Sequence, residues 1–247
     1  MYKFRGRIRY SELDSEGKLS LEALLDYFQD CSTFHSEDIG AGLNYLKERR
    51  LAWVLSAWQI VVERYPVLCE NVIIGTAPYD FKGFMGCRNF LMETEDGERL
   101  ASANTVWTLM DMEHMRPARV PKELEAAYVL EDKLEMDYAP RKIISPETEG
   151  EMRENVEVRH HHLDTNHHVN NGQYIRIAME YLPDGFAIRQ MRAEYKKQAL
   201  LGNMIVPVIY GPMDDTFVIA LNNEEGQAYC IAEFKGMIRQ GTGDGGR

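Results

Sequence analysis

The sequence predicts an α+β protein made of two tandem copies of one unit, each a helix followed by an antiparallel run of strands. Three observations predict it. Ile8 to Ser20 is echoed by Val158 to Asn170 at a constant offset of 150, which sets Arg9 on Arg159, Leu13 on Leu163 and Asp14 on Asp164. The helical stretches that follow stay in phase, with Leu24, Leu25, Tyr27 and Phe28 opposite Tyr174, Ile175, Ile177 and Ala178. Each is followed by short apolar runs separated by turn residues. Such a repeat decides the fold class, because each copy must bury its own apolar face.

In chain order, Ser20 is a fitting N-cap for a helix to about Ser36, and Asp38-Ile39-Gly40-Ala41-Gly42 breaks it. A short helix over Asn44 to Arg50 leads to strands at Ala52 to Glu63, Val72 to Ala77, Phe84 to Thr94 and Leu100 to Asp111. The turn Glu95-Asp96-Gly97-Glu98 is a hairpin signal, and Ala101, Ala103, Thr105 and Trp107 alternate along the last strand. Prolines 117, 121, 140 and 146 punctuate a charged connection with one helix near 121–128. The second copy repeats the order. A strand at about Asn155 to His162 precedes a helix that Asn170 or Asn171 caps and Pro183 closes. Strands follow near Phe186 to Gln198, Met204 to Tyr210, Thr216 to Leu221 and Ala228 to Gln240. Gly202-Asn203-Met204-Ile205-Val206 also resembles Glu70-Asn71-Val72-Ile73-Ile74. The predicted domains are 1–118, a linker over 119–150, 151–240, and a disordered tail at 241–247.

Composition narrows the function. The chain has 247 residues, 45% of them hydrophobic, and no run of 18 apolar residues, so no membrane span is expected. The N-terminus lacks the apolar segment of a signal peptide. The cysteines Cys31, Cys69, Cys87 and Cys230 are widely spaced, which favours reduced thiols in a cytoplasm. A net charge of −11 argues against nucleic acid as a partner. It leaves room for an acidic partner on a local basic patch, either Arg5, Arg7 and Arg9 or Arg189, Arg192, Lys196 and Lys197. No nucleophile elbow, P-loop or dinucleotide fingerprint is present, and no cofactor is expected.

The candidate chemistry lies in Leu163-Asp164-Thr165-Asn166-His167-His168-Val169-Asn170-Asn171. A carboxylate, an amide and an imidazole alternate at Asp164, Asn166 and His168. They lead into a helix N-terminus at Val169, Asn170 and Asn171, where unpaired N–H groups favour a developing oxyanion. Asp164 alone would read as a cap; with Asn166, His168 and the repeat it reads as catalytic. The first copy keeps Asp14 but has Glu16 and Lys18 in place of the amide and imidazole. One active site per chain follows, in the second copy. That leaves the first copy free to hold an apolar ligand with Leu24, Leu25, Phe28 and Trp53 or Trp58. His160, His161, His162, His167 and His168 suggest a metal, but along a strand the first three would alternate faces, so no metal is assigned.

With its Tyr174-Ile175 continuation, this nine-residue motif resembles the signature of the acyl-acyl carrier protein thioesterases, the plant plastid enzymes and their bacterial relatives. Trp53, Arg64-Tyr65-Pro66 with Glu70, Arg88, Gly97, Trp107 and Arg116-Pro117 agree with it. The resemblance covers about residues 3–240. It implies a double hot-dog fold and hydrolysis of the thioester between a fatty acyl chain and acyl carrier protein. It also places the family's catalytic aspartate, asparagine and histidine on Asp164, Asn166 and His168. The plant enzymes follow a Glu-Tyr-Arg-Arg sequence with Glu-Cys. Here Glu194-Tyr195-Lys196-Lys197 is followed by Gln198-Ala199, so no thiol stands there and Gln198 is left to orient water. The expected partner is acyl carrier protein, and a homodimer is left open. The rival readings are an acyl-CoA thioesterase and a non-catalytic acyl-thioester-binding regulator.

Overall fold

The computed structural model describes residues 1–164 and 166–238; the tail at 241–247 lies outside them. The chain is α+β and divides into two compact units, Met1–Arg141 and one that begins at Lys142.

The first unit contains β1 (Tyr2–Arg7), α1 (Leu21–Asp38), α2 (Leu43–Glu48), β2 (Leu51–Val62), β3 (Asn71–Lys82), β4 (Met85–Thr94), β5 (Arg99–Asp111), the short β6 (Arg116–Pro117) and α3 (Lys122–Ala127). Its antiparallel sheet runs β1-β3-β4-β5-β2, with β6 on β5. β2 therefore pairs with β5 and not with its sequence neighbour β3, because the eight residues from Glu63 to Glu70 are too long for a hairpin. In the second unit β7 (Glu151–Met152) and β8 (Val156–Glu157) precede α4 (Asn171–Met179). β9 (Phe186–Tyr195), β10 (Met204–Met213), β11 (Thr216–Asn222) and β12 (Ala228–Ile238) follow. Its order is β9-β12-β11-β10-β7, with β8 also on β10. β8, β10, β11, β12 and β9 thus repeat the pairing of β1, β3, β4, β5 and β2. One helix against one antiparallel sheet, twice, is the hot-dog arrangement.

Ser20 caps α1 by accepting from the Ala23 N–H at 3.2 Å. The helix buries Leu21, Leu24, Leu25, Phe28 and Cys31, the recurring face of a 3.6-residue period. Phe28, Trp58 and Phe90 form an aromatic triangle with centroids 5.2 to 6.2 Å apart. A bulge between Leu55 and Ala57 sets Trp53 and Trp58 on one face of β2, although they are five positions apart. Trp53 packs farther along, against Phe81 and the cluster of Ala41, Leu46, Leu109, Val120, Leu124 and Tyr128. Beyond α3 the chain stays fastened to this unit. Gln59 receives the Ala139 N–H and donates to the Asp137 carbonyl, while Asn89 Oδ1 receives Leu134 N–H and Tyr138 O–H.

Arg88 faces α1 and is 7% exposed. Its Nη1 lies 3.1 Å from His35 Nδ1 and 3.3 Å from Thr76 Oγ1. Burial, then Arg88 and the N-terminal amine, push the His35 imidazole down to about 4, against a smaller opposing pull from Asp38. An unfolded histidine takes its proton near pH 6.5, and folded His35 only near 4. Falling pH therefore favours the unfolded chain across that window, and the loss is complete below it. Discounting by half for the ring's partial exposure, the loss is about 1.5 kcal/mol. His35→Gln keeps an acceptor for Arg88 and should flatten this part of the curve in denaturant titrations at stepped pH.

Three local expectations are corrected. His160–His162 form a 3-10 turn, not the end of a strand, because His162 Nδ1 accepts the Arg159 N–H at 3.0 Å and closes the chain on itself. α4 ends at Met179, four residues before Pro183, since proline disfavours helix in the residue before it and 180–182 tighten into turns. The 203–206 segment matches the first copy one residue away from the sequence match, at an offset of 133. Gly202 at φ 77° stands on Cys69 at φ 65°, and Asn203 on Glu70.

Candidate active site

The site is a five-residue turn between the 3-10 turn and α4, and its first-copy counterpart shows what holds it. Asp164 Oδ1 accepts the N–H groups of Asn166 at 2.8 Å and His168 at 3.1 Å. Its own N–H donates to the His168 carbonyl at 2.8 Å. In the first copy Asp14 Oδ1 accepts from Glu16 and Lys18 at 2.9 and 3.0 Å, and the Asp14 N–H donates to the Lys18 carbonyl at 2.7 Å. The aspartate is therefore first a loop-forming residue, an Asx-type turn that needs only one carboxylate oxygen. What differs is the rest. Asn166 and His168 replace Glu16 and Lys18, and His167 adopts φ 62° where the first copy has Gly17 at φ 74°. A non-glycine residue in this left-handed region costs about 1–2 kcal/mol, strain of the kind that collects at working sites.

Neighbouring segments pin the turn by the same bonds in both copies. Val169 N–H donates to Ala199 O and Asn170 N–H to His162 O, as Leu19 does to Pro66 and Ser20 to Glu12. Lys196 and Lys197 N–H both turn to Tyr229 O, as Glu63 and Arg64 do to Leu100 O, and this ends β9 before Gln198. Asn170 caps α4 by accepting from Gly172 N–H at 2.8 Å.

The turn thus brings Asp164, Asn166 and His168 onto one short arc. Asn166 is exposed and His168 half-buried. Among the described residues their side chains form no hydrogen bond to one another, and Asp164 Oδ2 has no protein donor. Of the three groups expected to receive an oxyanion, the Val169 and Asn170 N–H are engaged by carbonyls, which leaves Asn171. Gln198 is exposed, one residue before the Ala199 carbonyl that receives Val169. Leu24, Leu25, Phe28 and Trp58 are at most 2% exposed in the first unit's core, and Trp58 Nε1–H is buried there without an acceptor.

Residues 1–128 match the model of the acyl-ACP thioesterase N-terminal domain, and residues 145–237 match that of the C-terminal domain. The chain belongs to the acyl-ACP thioesterase family. It is 28% identical over 208 residues to a chloroplastic palmitoyl-acyl carrier protein thioesterase of Arabidopsis thaliana, a match spanning 77% of this chain and 50% of that protein. A chloroplastic acyl-[acyl-carrier-protein] hydrolase of Cuphea viscosissima is 26% identical over 222 residues, 81% of this chain and 52% of that one. The chain spans about half the length of these relatives. In fold it resembles an acyl-ACP thioesterase from Bacteroides thetaiotaomicron, with a TM-score of 0.86 at 19% identity over 94% of this chain and 96% of that one. The 12:0-ACP thioesterase from Umbellularia californica gives 0.84 at 20% identity over 97% and 98%.

Three further residues, which the sequence pattern does not single out, hold the backbone around this candidate site. Tyr174 O–H receives the buried Ala199 N–H at 2.8 Å, and Tyr195 O–H donates to the Asn171 carbonyl at 3.1 Å. Burial pushes both phenols above their usual range and keeps them neutral. His162 Nδ1 accepts the Arg159 N–H at 3.0 Å, and burial, with His161 and the nearby Arg159 and Arg176, pushes this imidazole down. By spacing Tyr174 belongs to the helix's apolar face; its hydroxyl, which Ile175, Ile177 and Ala178 buried beside it lack, is the one signal of a polar task.

Proposed function

We propose that the protein hydrolyses the thioester of fatty acyl-acyl carrier protein and releases free fatty acid, using the second unit's turn. The observation that carries this reading is the internal control: one loop built twice, with an amide and an imidazole only in the second copy. Water adds to the thioester carbonyl as Asp164 takes its proton, and the oxyanion forms near the α4 N-terminus. Collapse breaks the C–S bond, and the thiolate takes a proton to leave as the carrier's thiol. Asp164 Oδ1 is committed to the turn, which assigns Oδ2 to the water, or to direct attack that would give a transient anhydride. Asn166 and His168 orient the water and the carbonyl, and Gln198 is a further water-orienting group. The acyl chain is assigned to the apolar helix face of the first copy, Leu24, Leu25 and Phe28, with Trp53 or Trp58.

The family match supports acyl carrier protein as partner and fatty acid biosynthesis as setting. Cys31, Cys69, Cys87 and Cys230 are free thiols, which fits a cytoplasmic location. Among the described residues no helix is long and apolar enough to cross a membrane. The test is a panel of acyl-carrier and acyl-CoA thioesters over a range of chain lengths. Faster release from the carrier is expected. Equal or faster CoA turnover would favour an acyl-CoA thioesterase, and tight binding without release would favour a non-catalytic regulator.

A further inference from the structure

The duplication also separates surface that serves the fold from surface that does not. Beside each turn lies an exposed aliphatic pair, Val67-Leu68 in the first copy and Leu200-Leu201 in the second, each 45–49% exposed. The backbone bridges Lys18 to Val67 and His168 to Leu200, so each pair adjoins its turn. The charges around the two pairs differ. Over 9–20 and 63–70 the first copy carries Arg9, Lys18 and Arg64 against five carboxylates. Over the equivalent 159–170 and 196–203 the second carries Arg159, Lys196 and Lys197 against Asp164 alone.

The pairing differs too. Arg64 is clamped by Glu70 at 2.7 Å and Glu98 at 2.8 Å, so its charge is spent inside the fold. Its counterpart Lys197 donates to the Gln227 side-chain oxygen at 3.4 Å, and among the described residues no carboxylate pairs with it, Asn203 standing where the first copy has Glu70. Asn203 keeps the other task of Glu70, receiving Leu200 N–H at 2.8 Å as Glu70 receives Val67 N–H at 2.9 Å. Lys196 lies 3.6 Å from the largely buried Glu194, a loose contact, and Arg159 meets Glu157 at 3.5 Å at the surface, where such pairs contribute little. Val158 exchanges backbone bonds with Gly202 and Asn203, which places Arg159 beside the same turn.

We infer that Arg159, Lys196 and Lys197, set around Leu200 and Leu201, form the docking surface for an acidic protein, the carrier that brings the thioester to His168. This rests on the proposed function. On a chain of net charge −11, an exposed basic rim beside the reactive turn selects a partner of opposite sign and speeds encounter. Of the two basic clusters visible in the sequence, the first has Arg7 Nε on the Cys69 carbonyl, Arg9 on Glu12 and Arg5 loosely on Glu95 at 3.5 Å; in the second, Arg192 is spent on Glu233 at 2.8 Å, so the proposal falls on Lys196 and Lys197 with Arg159.

The test measures two quantities on K196E/K197E, R5E/R7E and the unaltered protein. One is binding of fluorescently labelled acyl carrier protein by anisotropy at low and moderate salt. The other is hydrolysis of the same acyl group on the carrier and on a small soluble thiol such as N-acetylcysteamine. K196E/K197E should weaken carrier binding and kcat/KM on the carrier at least tenfold and flatten their salt dependence. Turnover of the small thioester should stay within twofold, and R5E/R7E should change neither. Unchanged carrier binding in K196E/K197E, or its loss in R5E/R7E instead, overturns the docking surface. Failure of the unaltered protein to cleave either thioester would count against the proposed function alone, because carrier binding is read separately.

Discussion

Asn166→Glu combined with His168→Lys should lower kcat on acyl-carrier thioester by at least about 10³-fold without unfolding the protein. The double change writes the first copy's residues into the second copy's turn. The turn should survive, because Asp14 already holds Glu16 and Lys18 in it at 2.9 and 3.0 Å, against 2.8 and 3.1 Å for the bonds Asp164 makes. What goes is the amide that can orient water and the imidazole that can pass a proton. A lysine cation there is also a poor proton acceptor at neutral pH. Thermal unfolding within a few degrees of the unaltered protein would show that the loss is chemical. Turnover within tenfold would mean that Asn166 and His168 do not carry the reaction.

Phe28→Ala should destabilise the protein by about 3–5 kcal/mol and lengthen the preferred acyl chain. Phe28 is fully buried and in ring contact with Trp58 and Phe90, so truncation opens a cavity that the rigid triangle cannot close. If that core holds the acyl chain, the cavity accepts further methylenes at about 0.8 kcal/mol each, near fourfold in kcat/KM per carbon. Chemical denaturation measures the first effect and a chain-length series the second. A large stability loss with an unmoved chain-length profile would make Leu24, Leu25, Phe28 and Trp58 plain core.

Much of this architecture was legible because local signals agreed. Ser20 and Asn170 are short polar caps ahead of helices in phase, and the 150-residue offset carried Asp14 onto Asp164. The second offset differs by one residue from the residue-type match, because Asn203 resembles Asn71 in side chain while its backbone stands where Glu70 does. Cys69 and Gly202 share a left-handed conformation that nothing in a cysteine announces. The 3-10 turn at His160–His162 was hidden for a similar reason. Its capping acceptor is Glu12 in one copy and an imidazole, His162, in the other, so chemistry is conserved across the repeat where residue type is not. The strand order was beyond a local reading, because nothing near β2 records that its partner is β5. The turn-forming role of Asp164 emerges when the two turns are set side by side, since Asp14 makes the same bonds.

The most direct measurement compares Asp14→Asn with Asp164→Asn in steady-state release of fatty acid from acyl carrier protein. An asparagine Oδ1 can still accept both backbone N–H groups, so each variant keeps its turn and loses only a basic, charged oxygen. Asp14→Asn should leave kcat within about twofold, and Asp164→Asn should lower it by about 10²–10⁴-fold. Equal effects of the two substitutions, whether both small or both large, would contradict the claim that only the later turn performs the chemistry.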